Sequence, residues 1–185
     1  HFEREQLKDL EFVILTLYHD KFKDLPVAFA PSRLDHTLGE VLSKAGKSQL
    51  RCAESEKFAH VTFFLNGGNN QPYPGEVDVR IPSPKGIPFD LVPELSLPAV
   101  ADEVIDGLQK GVDCIVTNFA NGDVIGHTSN SEAKIACAQA VDEHLARVVR
   151  VAQAEGYVTL STADHGNLEV LLTAAGTPHV SHTSN

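Results

Sequence analysis

Between Ser131 and Glu155 apolar residues recur every three or four positions, at Ile135, Ala138, Val141, Leu145, Val148 and Ala152, and Gly156 closes the run. That spacing predicts one long helix with a single apolar stripe. Short β-forming runs flank it, Cys114–Phe119 before and Tyr157–Ser161 after. A long helix between two strands is the crossover of a βαβ unit, so the strands should be parallel and buried under helices. A second helix precedes the unit. Ser96 can cap it, Pro98 sits near its first turn, Val100, Val104 and Leu108 line one side, and Gly111 stops it. The expected fold class is α/β, a largely parallel sheet flanked by helices.

Upstream the pattern is less regular. Glu11–Leu17 reads as a buried strand, with Pro26 and Pro31 interrupting the chain beyond it. Thr37–Ala45 suits a short helix ended by Gly46, and His60–Leu65 (HVTFFL) suits a strand running into an Asn66–Asn70 loop. Seven prolines between Pro72 and Pro98 keep that stretch extended or looped, with one strand near Val77–Ile81. Ala120–Asn130 reads as a polar loop.

A length of 185 residues suits one domain, spanning 1–185. The formal charge of −10 argues against nucleic acid and anionic membrane surfaces as partners. Three cysteines without CxxC spacing, Cys52, Cys114 and Cys137, suit reduced thiols and a cytoplasmic location. No apolar run approaches 18 residues, so no membrane-spanning helix is expected. Neither end resembles a natural terminus, which suggests a domain excised from a longer sequence.

Two loops carry the chemistry. Asn118–Thr128 holds Asp123 and His127, and Thr162–Asn167 holds Asp164 and His165. Each comes directly after an expected strand of one βαβ unit, and open α/β sheets gather ligands at the C-terminal edge of their strands. Those four residues are therefore expected to converge, with a further cluster, His179 and His182, close behind. Carboxylate oxygen with imidazole nitrogen suits zinc or manganese. Five such groups exceed the needs of one ion if positions stay open for substrate. This suggests the two-ion arrangement used in phosphoryl displacement.

The string AESEKFAHVTFFLNGG over Ala53–Gly68 resembles a signature of cofactor-independent phosphoglycerate mutases. NGDVIGHT over Asn121–Thr128, TADHGN over Thr162–Asn167, and His182-Thr183 resemble that family's metal motifs, in the same order. Asp-His-Gly alone would mark only the wider alkaline phosphatase superfamily. The resemblance runs from about Glu11 to the last residue and implies an alkaline-phosphatase-like fold with metals at the sheet edge. It implies two divalent ions, manganese first, with Zn2+, Co2+ or Mg2+ as alternatives. One ion would take Asp123, His127 and His182. The other would take Asp164 and His165, with an early Asp and a nucleophilic Ser that precede this segment in the family. Lys57 would approach the phosphoryl group as a substrate-binding residue.

The implied reaction interconverts 3-phosphoglycerate and 2-phosphoglycerate, a glycolytic step, through a phosphoserine in a full-length enzyme that is a monomer. The family's Asp-Gly motif, its nucleophile and its inserted substrate domain have no counterpart in these residues. No catalytic residue is therefore assigned, the domain is expected to be incomplete, and the isolated chain is expected to be inactive. Val124 stands where the family has methionine, and Asn69-Asn70 where it has an acidic residue. His60 and His179 match positions read as structural or as supports for the ligands, while His1, His19, His36 and His144 read as surface residues. The rival readings are another phosphomutase or phosphodiesterase of the superfamily, a non-catalytic metal-binding domain, and a structural fragment with empty sites.

Overall fold

The structure, a computed structural model, describes residues 9–30 and 34–185. The chain divides into two compact units, His1–Leu34 and Asp35–Asn185. In the first, the expected strand over Glu11–Leu17 shrinks to one parallel bridge between Ile14 and Val27. The Ile14 amide donates to the Pro26 carbonyl at 3.0 Å and the Ala28 and Phe29 amides donate to the Ile14 and Leu15 carbonyls at 2.9 Å each, while Pro26 has no N–H with which to extend the pairing toward Glu11.

The second unit is built on three parallel strands, β1 (Gln49–Glu54), β2 (Glu76–Ile81) and β3 (Cys114–Asn118), in the order β2-β1-β3. Helix α1 (Leu38–Lys44) precedes β1, α2 (Phe58–Val61) lies between β1 and β2, and α3 (Leu97–Gln109) lies between β2 and β3. Helices α4 (Asn121–Gly126) and α5 (Ser131–Ala154) come after β3. The sheet is α/β and parallel as its pattern predicts. Leu50 and Cys52 of β1 join Val100, Ala101, Val104 and Leu108 of α3 and Val148 and Ala152 of α5 in the main core. Gly107 sets the spacing of α3 on the sheet, because a Cβ there would stand 2.6 Å from Leu50 Cδ2. Asn130 caps α5 by accepting the Ala133 amide at 3.1 Å. Ser96 precedes α3 as expected, yet its hydroxyl donates to the Pro82 carbonyl at 2.7 Å instead of capping. The three cysteines are free, and burial pushes the Cys52 and Cys137 thiols up to about 12, which leaves them inert. Among the described residues no helix is long and apolar enough to cross a membrane.

In this unit three sequence expectations give way and one strand comes unannounced. The central strand β1 went unread, although every one of its residues is buried. HVTFFL is not a strand. His60 and Val61 end α2 and the rest forms a turn, fixed by the Thr62 hydroxyl on the Phe58 carbonyl (2.8 Å) and the Asn66 amide on the Thr62 carbonyl (2.8 Å). The Ala120–Asn130 loop contains α4. Tyr157–Ser161 pairs with no strand among the described residues, and Val158 and Leu160 are 90% and 93% exposed.

The sheet face opposite the main core is polar. Arg51 Nη2 donates to Gln49 Oε1 at 2.6 Å, and Gln49 Nε2 donates to the Gly39 carbonyl at 3.0 Å. Asn66 Nδ2 donates to Glu76 Oε1 at 2.7 Å. Asp78, opposite Arg51 across the ladder, is pushed up to about 6 by burial and by the charge and hydrogen bond of Glu76, against the pull of Arg51. A folded-state value above the unfolded one, near ~3.9, means that the folded chain keeps this proton to higher pH. Stability from Asp78 therefore falls as pH rises from about 4 to about 6, and the charged group is a cost above that. Asp78→Asn should raise the melting temperature near pH ~7.5 by about 2–4 °C, equivalent to roughly 1 kcal/mol. The gain should vanish near pH ~4. Thermal melts followed by circular dichroism at the two pH values check this.

Candidate metal centre

The site begins with a buried asparagine. Asn121, 1% exposed, donates through Nδ2 to the carbonyls of Pro93 (3.0 Å) and Glu94 (2.8 Å), which fixes the start of α4 just after β3. Asp123 and His127 are four residues apart on α4 and its C-cap, so they share a helix face. The other half comes from two loops locked together. Thr183 bridges Gly166, its amide donating to the Gly166 carbonyl at 2.9 Å, and its hydroxyl donates to Glu169. This brings His182 and His165 to Asp123 even though no strand precedes Asp164.

Three ligand atoms close a small triangle. Asp123 Oδ1 lies 2.8 Å from His182 Nε2 and 2.9 Å from His127 Nε2, and the two nitrogens are 3.0 Å apart. His165 Nε2 stands 3.9 Å from the same Asp123 oxygen, and its ring stacks on His182 with centroids 3.7 Å apart. Asp164 is at the rim, 65% exposed, with Oδ2 3.6 Å from His165 Nε2. His165 thus sits against the Asp123 group, while Asp164 contributes only at its edge.

Lys57 Nζ pairs with the second oxygen of Asp123, and the two side chains are 13% and 19% exposed. Burial alone would raise the Asp123 carboxyl. Hydrogen bonds from Lys57 and His182, with the Lys57 charge, outweigh it and hold the group well below the usual carboxylate range.

The other histidines divide differently from the sequence reading. His19 and His36 are exposed, and His1 lies outside the described residues. His60 is exposed too, edge-on to Phe64. His144 is 6% exposed: Arg147 Nη1 donates to its Nδ1 at 2.8 Å, so its Nε2 carries the proton toward Glu94 Oε1 at 3.2 Å. His179 lends its carbonyl to Lys134. Sequence reasoning also missed Asn121, Lys134 and Asn167. Asn167 fills the space above Gly126, where a Cβ would meet its side chain at 2.3 Å.

The metalloenzyme superfamily matches residues 5–185. The chain belongs to that superfamily. Within it, the chain is 49% identical over 186 residues to the 2,3-bisphosphoglycerate-independent phosphoglycerate mutase 2 of Methanosarcina barkeri, covering 100% of this chain and 35% of that one. It is 49% identical over 187 residues to the 2,3-bisphosphoglycerate-independent phosphoglycerate mutase of Syntrophotalea carbinolica, covering 100% and 36%. Phosphoglycerate mutase of Leishmania mexicana, crystallised at low cobalt concentration, matches with a TM-score of 0.80 at 27% identity, covering 100% of this chain and 38% of that one. The chain spans about a third of the length of the curated relatives it matches.

The donor set fits the divalent ion that a metalloenzyme requires. His127 Nδ1 faces the Val180 carbonyl at 2.9 Å, and a carbonyl only accepts, so Nδ1 carries the proton. That leaves Nε2, 2.9 Å from the Asp123 carboxylate oxygen, as the atom whose lone pair a metal would take from the neutral ring. One proton on His182 Nε2 can serve two sides of the triangle and leaves the third repulsive. A cation serves all three. At 2.8–3.0 Å from one another, the three donor atoms are close enough together to share one ion.

Proposed function

We propose that this chain supplies the metal centre of a phosphoglycerate mutase that interconverts 3-phosphoglycerate and 2-phosphoglycerate. The observation that carries the reading is the triangle of Asp123, His127 and His182, with its proton-locked His127. A mixed carboxylate and imidazole donor set suits Mn2+, with Zn2+, Co2+ or Mg2+ as alternatives. A second divalent ion would take Asp164 and His165, with further ligands from the remaining length of the relatives. Bound there, the ions would supply Lewis-acid neutralisation of a phosphoryl group. The chain's own residues do the rest. The Asp123 carboxylate stays ionised, the Val180 carbonyl and the Gly166–Thr183 bridge orient the imidazoles, and Lys57 sets a compact positive charge beside Asp123, where a phosphoryl oxygen can meet it. The free cysteines suit a cytoplasmic enzyme of glycolysis, and the full-length protein is taken to be a monomer.

The test is a chimera. The segment of the Methanosarcina barkeri relative that aligns with this chain is replaced by residues 1–185, and interconversion of the two phosphoglycerates is measured with Mn2+. The chimera should turn over, and Lys57→Ala within it should lower kcat at least ~100-fold, the scale of losing one electrostatic stabiliser. A folded, Mn2+-binding chimera without turnover would sink the mutase reading while leaving the metal centre standing.

A further inference from the structure

Lys134 places an ammonium where water scarcely reaches it. It lies in the first turn of α5 and is 2% exposed. No carboxylate pairs with it among the described residues, and burial alone draws its pKa below the ordinary lysine range. Its Nζ donates to the backbone carbonyl of His179. An apolar side chain of similar length would fill this position without the cost of desolvating an ammonium. The retained nitrogen therefore points to the bond it makes.

His179 stands three residues before His182. Backbone bonds tie the two ends of this stretch to its own loops, the His179 amide on the Leu171 carbonyl and the Thr183 amide on the Gly166 carbonyl, both at 2.9 Å, while His127 Nδ1 meets the Val180 carbonyl and the Thr183 hydroxyl meets Glu169. Among the described residues, Lys134 is the side chain of α5 that bonds to this stretch, and it does so from a buried position. We propose that Lys134 is a positioning residue, which pins the His179–Thr183 segment so that His182 Nε2 faces Asp123 Oδ1. The proposal rests on the reading of Asp123, His127 and His182 as a metal site. Hydrogen bonds that orient metal ligands commonly change affinity 10–100-fold when removed.

Mn2+ is titrated calorimetrically into the 185-residue chain as wild type, Lys134→Met, Lys134→Arg, His182→Ala and the Lys134→Met/His182→Ala double variant, with metal-free melts of each. Lys134→Met should weaken Mn2+ binding about 10-fold or more without lowering the melting temperature. Lys134→Arg, which keeps a donor, should stay within about threefold of wild type. In the His182→Ala background, Lys134→Met should change affinity by less than about twofold, because its effect runs through that imidazole. Unchanged affinity in Lys134→Met, or an equal loss with and without His182, overturns the proposal. Unchanged affinity in His182→Ala overturns the metal-site reading, and this proposal with it. If Lys134→Met does not fold, Lys134→Gln takes its place in the cycle, since its shorter amide falls short of the carbonyl.

Discussion

Asp123→Ala should abolish specific divalent-ion binding, with Mn2+ affinity falling by more than ~100-fold, beyond the range of a change outside the ligand set. Asp123 Oδ1 is the corner that His127 and His182 share, at 2.9 and 2.8 Å, and it is the one carboxylate that the triangle contains. Its ionised state is secured by the opposing effects at that position: burial raises the carboxyl, while the contacts from Lys57 and His182 lower it further. The group is therefore an anion throughout the neutral range. The substitution also strands the Lys57 ammonium, 13% exposed, without its counter-ion, so the metal-free melt should fall as well. Asp123→Asn separates the two effects, since it keeps shape and loses charge. Calorimetric titration with Mn2+ against metal-free melts is the check. Wild-type affinity in Asp123→Ala would remove the site from this part of the molecule.

Arg51→Ala should cost about 3 kcal/mol, the low end for breaking a buried ion pair. In melting temperature that is a fall of about 6–12 °C. The low end applies because Arg51 Nε stands 3.9 Å from Glu76 Oε1, both side chains being 0% exposed, and Nε and Nη1 have no hydrogen-bond partner. Without the guanidinium, Glu76 and Asp78 share one face of the sheet with no cation between them. Arg51→Met with Glu76→Gln should be more stable than Arg51→Met alone by more than ~1 kcal/mol, because the pair is then removed together. Chemical denaturation of the three proteins tests this. A loss under ~1 kcal/mol in Arg51→Ala would mean that water already solvates the cluster.

The extent of α5 was open to reading because its apolar spacing is local and Gly156 ends it, but its buried face was not: Ile135 and Ala138 are exposed, and Ala133, Lys134, Cys137 and His144 lie buried beside Val148 and Ala152. α3 and β3 were readable for similar reasons, from a proline near a helix start and a short β-branched run. β1 was not, because Gln49, Arg51 and Glu54 make it look like surface. Its burial depends on β2, β3 and α2, which no local pattern contains. HVTFFL failed in the opposite sense. Its residues favour strands in isolation, and hydrogen bonds to Phe58 and Thr62 overrule that preference.

The centre divides in the same way. Asp123 and His127 are a helix pair visible in the sequence, and His165 and His182 were expected near them from the logic of strand ends. The structure brings them there by another route, the Gly166–Thr183 bridge, because Tyr157–Ser161 is not a strand. That Lys57 would lie on Asp123, and that Asn121 and Lys134 would brace the surrounding loops, depends on contacts across 27 to 66 residues of chain.

Val158 and Leu160 give this chain a property separate from its chemistry. A short extended stretch with 90% and 93% bare aliphatic side chains is adhesive, toward other copies of itself as much as toward anything else. What opposes adhesion is the formal charge of −10, which repels copies at long range. Salt shortens that range to about 10 Å at 0.1 M, and less above it. Self-association through this stretch is therefore expected to grow with ionic strength, and low salt is the condition that holds copies apart.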